Sequence, residues 1–306
     1  MRRFALLFCL LWPTIASGQA LDVAVTLKPI HSLTARLMSG IGEPKLIVRG
    51  SLSPHRFTLR PSETRTLHQA DLVIWIGSTV EPGLTKTLQT LGPKTQILTV
   101  GDAPALNLLQ ARESGAWAQT TRDNVDHGHS SGHIDHKDPH FWLDPVRATT
   151  AAQLIAEALI ANDPSHRTTY QANLATLVAD LNALNLELLQ RFKPLESKPL
   201  FVFHDAYQYL ESRYQLRVVG ALTVSADRTP GARRVSQIRA QIQQAGATCV
   251  LREPQFKPAL IRVLVEGTSA RSGTIDPLGS SIPAGPGHYF SMMRRSASSI
   301  ESCLTD

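Results

Sequence analysis

The chain has 306 residues, 42% of them hydrophobic, with 31 basic and 25 acidic side chains and a formal charge of +6. That excess is mild, and no Lys/Arg cluster is interleaved with aromatics, which excludes a nucleic-acid-binding reading. The length suits one large domain or two of ordinary size.

Residues 1–20 read as a leader. Arg2 and Arg3 form a basic start, Phe4 to Trp12 an apolar stretch, and Ala16 to Ala20 a small or polar end. This is the pattern of a secretory signal peptide, too short to anchor the chain in a bilayer, with cleavage expected after Gly18 or Ala20. The paired arginines also raise twin-arginine export, but their flanks fit it poorly. Cys9 follows Leu6-Leu7-Phe8, where a lipoprotein site would want a small residue. Removing the leader leaves 286 of the 306 residues and a charge of +4. No later run reaches the ~18 apolar residues of a membrane span, so the mature chain is expected to be soluble, without a stable membrane anchor. Its two remaining cysteines, Cys249 and Cys303, suggest one disulfide in an oxidising compartment, with two buried thiols as the alternative. Such a bond would close a loop of roughly fifty residues and stabilise by about 3–4 kcal/mol in the chain-entropy picture. No CxxC spacing supports a thiolate metal site.

In chain order, short apolar, β-rich runs occur at 21–27, 46–48, 72–76 and 96–100, alternating with helix-compatible stretches at 29–38, 61–69 and 82–91. A second half repeats the theme. Its strand candidates are 200–204, 217–222, 247–252 and 271–275, and its helix candidates 206–214, 233–244, 258–266 and 288–300. Continuous short apolar strands alternating with helices predict α/β lobes, each built on a parallel sheet flanked by helices. The expected organisation is an N-terminal lobe over 21–145, a helical connection over 146–195, and a C-terminal lobe over 196–306. Within the connection, one long linking helix is expected over 164–192. Pro164 would stand in its first turn after Asp163 as cap. Tyr170, Leu174, Leu177, Leu181, Leu184 and Leu188 step by three and four along one face, and the helix ends near Phe192, before Pro194. A surface helix of a single domain would show the same stripe.

Between the lobes' last strand and first connecting helix lies a His-rich segment. Residues 116–138 are expected to be a disordered loop, whose second half is dominated by Gly, Ser, Asp and His. It carries His127, His129, His133 and His136, an auxiliary set of metal-binding imidazoles. Three further histidines stand where α/β proteins place ligands. His204 ends the apolar run Leu200–Phe203, and the carboxyl ends of parallel strands are the usual binding edge. His55 lies in the loop after the run ending at Val48, and His140 in the loop leaving the first lobe. Each alone reads as an ordinary solvated histidine. Beside a histidine tract, three loops with one imidazole each point to a shared metal ion. Asp276 follows the run Arg271–Ile275 and is a tentative fourth ligand, an orienting carboxylate or a turn former. Three imidazoles with an oxygen fourth suit tetrahedral Zn²⁺, whereas manganese would want more carboxylate. An open fourth position also describes catalytic zinc. Glu253 and Asp205 would be its candidate bases by strand-end position, although HExxH, GxSxG and Walker A patterns are all missing.

Five motifs in order carry a family likeness. They are Ser53-Pro54-His55 with Leu59-Arg60-Pro61-Ser62, His140-Phe141-Trp142-Leu143-Asp144-Pro145, Phe203-His204-Asp205-Ala206-Tyr207, Cys249 to Phe256, and Gly273 to Gly279. Across nearly the whole mature chain the sequence resembles the periplasmic zinc-binding subunits of zinc ABC importers, within the larger class of zinc and manganese solute-binding proteins. The resemblance implies two α/β lobes joined by a long rigid helix, a periplasmic non-enzymatic monomer, and delivery of zinc to a membrane permease with a separate ATPase. It implies His55, His140 and His204 as zinc ligands. Manganese-type members carry a glutamate where His204 stands, and in them the position of Asp276 ligates; in zinc members a water can take that place. It also implies pairing of Cys249 with Cys303. Outside the resemblance, a manganese-binding protein, a secreted zinc hydrolase, and a storage or adhesive protein are the other readings.

Overall fold

The computed structural model describes residues 21–50, 52–112, 137–223, 231–254 and 258–305. The leader and His127, His129, His133 and His136 lie outside the described residues, as does the expected disorder of most of 116–138.

Two four-stranded parallel sheets form the frame. The first contains β1 (Val23–Val25), β2 (Lys45–Leu46), β3 (Leu72–Trp75) and β4 (Gln96–Thr99), in the order β2-β1-β3-β4. The second contains β5 (Pro199–His204), β6 (Arg217–Thr223), β7 (Cys249–Arg252) and β8 (Arg271–Thr274), in the order β6-β5-β7-β8. The two sheets thus share one topology. In each, strand order reverses beside the first strand, and the crevice at the carboxyl ends there is the binding place such sheets offer. The central strands are buried on both faces: all four residues of β3 and five of the six in β5 are buried. This is why they read as continuous apolar runs.

Helices cover the sheets. In the first lobe these are α1 (Lys28–Leu37), α2 (Pro61–Gln69) and the single turn α3 (Thr85–Leu88). Prolines in the first turns of α1 and α2 suit helix starts, and Glu63 Oε2 accepts from the Arg60 backbone N–H at 2.6 Å to close the start of α2. The helix expected over 82–91 is reduced to a turn at Pro82–Leu84 followed by α3. Thr85, Thr87 and Thr90 are stiff at χ1 and poor helix formers, and Gly92 follows. The connection consists of α4 (Pro145–Asn162) and α5 (Arg167–Phe192). Asp144 caps α4 by accepting from the Val146 N–H at 3.0 Å. The start expected at Pro164 moves to Arg167, because Pro164–His166 forms a 3₁₀ turn. Asp163 therefore does not cap α5. It ends α4, and its carboxylate gathers Ser165 Oγ, His166 Nδ1 and Tyr170 Oη.

The 26-residue α5 buries Tyr170, Leu177, Leu181, Leu184, Leu188 and Phe192, with Leu174 half-buried. That stripe packs against α4, against α1 of the first lobe, and against α9 (His288–Thr305) of the second. The second lobe adds α6 (Gln208–Tyr214), α7 (Ala232–Gln244) and α8 (Pro258–Val265). One apolar core runs through both lobes and the connection, and a smaller one beneath α7 and α8 joins Phe201, Phe203, Ile238, Ile242, Val250 and Leu264. Cys249 of β7 and Cys303 of α9 form a disulfide with Cα atoms 5.6 Å apart. Gly273 makes this approach possible: a Cβ there would stand 3.0 Å from Cys303 Cβ and 2.8 Å from Leu251 Cδ2. Among the described residues, no helix is long and apolar enough to cross a membrane.

Candidate metal centre

Three loops deliver one imidazole each to the cleft between the sheets. His55 sits on a 3₁₀ turn, Pro54–Arg56, whose buried Pro54 and Phe57 root it in the first lobe. The turn at Pro82–Leu84 backs it, and Gly83 lies so close that a Cβ would fall 2.1 Å from the Phe57 carbonyl oxygen. His140 follows a short antiparallel bridge between Gln110 and Lys137, continued by the Asp138 N–H donating to the Leu109 carbonyl at 2.8 Å. The buried turn Phe141–Leu143 fixes it from the other side. Trp142 Nε1 donates to the Pro277 carbonyl at 2.8 Å, and Tyr209 Oη donates to the Asp138 carbonyl at 2.5 Å. The second lobe thus holds the segment that bears His140. His204 is the last residue of β5, paired with Thr223 of β6.

The ring centroids stand 5.9 Å (His55–His140), 5.8 Å (His55–His204) and 5.0 Å (His140–His204) apart. One ligating atom of each lies within 4.8 Å of the others. Nitrogens about 2.0–2.1 Å from a tetrahedral zinc ion stand about 3.3 Å apart, so inward tilts of an ångström or so complete the geometry. His140 and His204 are buried, at 6% and 3% exposure, and His55 is half-buried.

Carboxylates stand behind the rings. His140 Nδ1 lies 2.8 Å from Asp138 Oδ1, which also accepts the His140 backbone N–H at 3.0 Å. His204 Nδ1 lies 3.4 Å from Glu253 Oε1 and has no closer polar partner among the described residues. Burial pushes the His204 pKa down, but Glu253, then Asp205 and Asp138, outweigh it and the net shift is upward. Asp205 is engaged elsewhere: Arg112 holds it through Nη2 at 2.5 Å and Nε at 3.1 Å, and also binds Glu211 at 2.6 Å.

The sequence-derived candidates therefore divide. His55, His140 and His204 come together. Asp276 is not in the convergent group. Its Oδ1 accepts from the Leu278 N–H at 3.1 Å, and its Oδ2 from the Ser280 N–H at 2.6 Å and Ser280 Oγ at 2.5 Å, a turn-forming role. Asp138, Tyr207 and Arg112 were not singled out by the sequence. Asp138 had one available signal, an acidic residue two places before an ordered histidine and able to fold back on it. Arg112 had none, because its partners lie 93 and 99 residues away.

Comparison with known proteins identifies the family. The profile of the ZnuA family, described as zinc-uptake complex component A, periplasmic, matches residues 23–303. The high-affinity zinc uptake system protein ZnuA of Brucella suis biovar 1 is 38% identical over 316 residues, spanning 94% of this chain and 93% of that one. The Yersinia pestis protein of the same name is 33% identical over 292 residues, spanning 92% and 91%. Among solved structures, a crystal structure of ZnuA superposes with a TM-score of 0.78 at 23% identity, over 94% of this chain and 100% of that one, a likeness of fold. With the profile covering residues 23–303 of 306, the chain belongs to the family of periplasmic zinc-uptake complex component A.

Proposed function

We propose that His55, His140 and His204 bind one Zn²⁺ in the periplasm and that the protein passes the ion to an ABC permease powered by a separate ATPase. The family consists of periplasmic zinc-binding components of uptake complexes, not enzymes. Glu253 and Asp205 therefore have no catalytic role in this reading. The observation that carries the ligand assignment is the convergence of three imidazoles, each from a different loop, on one point of the cleft. Zinc is cargo here, and a three-nitrogen site with an open position allows both tight holding and release. Water is favoured for the fourth position, since both oxygens of Asp276 are already engaged. The reading keeps residues 1–20 as a cleaved export signal, the lobes as 21–145 and 196–306 with 146–195 connecting them, and a monomer as the working unit. His127, His129, His133 and His136 act as auxiliary, weaker zinc ligands.

The test is calorimetric titration of the chelator-stripped mature protein with Zn²⁺ and Mn²⁺. One tight zinc site, weaker zinc sites that disappear on deleting 126–137, and little manganese binding are expected. Tight manganese binding, or no tight zinc site, would overturn the reading.

A further inference from the structure

Two carboxylates next to the imidazoles are buried without a full-strength cation. Asp138 is 3% exposed and Glu253 is 4% exposed. Among the described residues, Asp138 uses only Oδ1, on the backbone and ring of His140, while its buried Oδ2 has no hydrogen-bond partner. Glu253 Oε1 accepts from Tyr207 Oη at 3.1 Å and faces His204 Nδ1. Among the described residues, their ion-pair partners are these histidines and not a lysine or arginine. Two other buried carboxylates are neutralised outright by arginine. Asp205 has Arg112, and Asp144 has both Arg147 and Arg213. Buried charge of one sign is costly unless something balances it. At the cleft, the only balancing charge that this reading supplies is the cargo.

We infer that Asp138 and Glu253 are the positioning and charge-matching pair of the site, giving it a preference for a divalent over a monovalent cation. The inference rests on the three-histidine reading. Asp138 takes the Nδ1–H of His140 at 2.8 Å, and Glu253 faces Nδ1 of His204 at 3.4 Å, an arrangement that leaves Nε2 of each ring to present its lone pair to the metal. Together they place two negative charges behind three neutral imidazoles, matching a 2+ ion in a low-dielectric cleft. Three imidazoles alone would not make this distinction, because imidazole suits copper as well as zinc. A monovalent ion such as Cu⁺ would leave one negative charge unbalanced.

The test compares the mature wild-type chain with Asp138→Asn, Glu253→Gln and the charge-preserving Asp138→Glu and Glu253→Asp. Dissociation constants of the tightest site are measured for Zn²⁺ and, without oxygen, for Cu⁺, each by competition with a chromophoric chelator. Each neutral variant is expected to weaken Zn²⁺ by ~10- to 100-fold, while Cu⁺ binding changes far less, so that the Zn²⁺/Cu⁺ preference falls. The charge-preserving variants are expected to keep that preference even where both affinities drop through altered reach. Equal weakening of both metals by the neutral variants, or an unchanged Zn²⁺ affinity, would overturn the inference. Should a neutral variant fail to fold, loss of the preference in its charge-preserving counterpart would overturn it equally. Failure of the wild type to hold Zn²⁺ tightly would instead overturn the three-histidine reading, and this inference with it.

Discussion

Glu81 offers a sharp test of the energetics in the first lobe. It is fully buried, at 0% exposure, where the chain leaves β3. Its Oε2 accepts the Ile76 N–H at 2.8 Å, while Oε1 has no hydrogen-bond partner among the described residues. Burial raises its pKa from 4.5 to about 7, against the opposing pull of Thr26 and of the Ile76 and Gly77 amides. Between those two values the folded chain keeps a proton that the unfolded chain has released. Stability therefore falls as pH rises through this window and levels off above it. At about 1.36 kcal/mol per unit, the whole loss is about 3 kcal/mol. Glu81→Gln keeps the acceptor for Ile76 and carries no charge at any pH. The variant is expected to match the wild type to within about 1 kcal/mol near pH 4.5 and to exceed it by about 3 kcal/mol at pH 8. Urea unfolding of both proteins in chelator across that range measures the difference, free of any contribution from bound metal. A difference that does not change with pH, or a wild type that is the more stable at pH 8, would refute the reasoning.

Three further outcomes follow from single contacts. His140→Ala is expected to weaken zinc by more than the ~10- to 100-fold typical of losing an outer partner, with little change in the metal-free melting temperature; competition titration and melting curves separate the two effects. Gly83→Ala drives a methyl group into the Phe57 carbonyl and displaces the turn that carries His55. Weaker zinc binding with the far-ultraviolet spectrum retained is expected, and unaltered affinity would show that the turn absorbs the clash. Replacing Cys249 and Cys303 by alanine opens a bond spanning 54 residues. In the chain-entropy picture this costs about 4 kcal/mol, read as a lower urea midpoint for the double variant.

Much of the frame was legible because burial on both faces leaves a plain mark. The run Leu72–Trp75 could be a central parallel strand from its composition alone, and the leucines at 177, 181, 184 and 188 marked the face of α5 that is buried. The three histidines were legible through position, since each follows a strand or opens a lobe boundary. What the sequence hid depends on contacts between distant residues. By its place after a strand Asp276 read equally as a fourth ligand, an orienting carboxylate or a turn former, and only the fold shows that Ser280, four residues on, gives its Oδ2 both N–H and Oγ–H. Asp163 looked like the cap of α5, yet the tight turn at Pro164 moved the helix start to Arg167. The carboxylates behind His140 and His204 could be judged only once the fold had shown which charges each of them lacks.

The lobes are joined by more than the long helix, and this bears on how metal enters. Lys28 Nζ of α1 donates to the Ser280 and Ile282 carbonyls at 2.7 and 3.1 Å, and Ser32 Oγ donates to the Pro286 carbonyl at 3.0 Å. Arg36 pairs with Asp180 of α5, and Asn173 Nδ2 donates to the Leu37 and Ser39 carbonyls. In addition, Arg213 of α6 grips the fully buried Asp144 through Nε and Nη2, and Tyr289 Oη donates to the Trp142 carbonyl at 2.8 Å. A wide hinge would break these bonds together and expose the core that runs through both lobes, a cost far above the 5–15 kcal/mol that holds an ordinary domain folded. Freedom is left to the His55 turn, whose histidine is half-buried and whose neighbour Leu52 is 55% exposed. Zinc binding is therefore expected to order that turn while the lobes hold still. Small-angle scattering with and without zinc should show a radius of gyration unchanged to within about 0.5 Å, for a chain whose compact radius is about 19 Å, while amide exchange slows around residues 52–57. A contraction of several ångströms would mean that the interlobe bonds do break, and would refute the argument from the contacts.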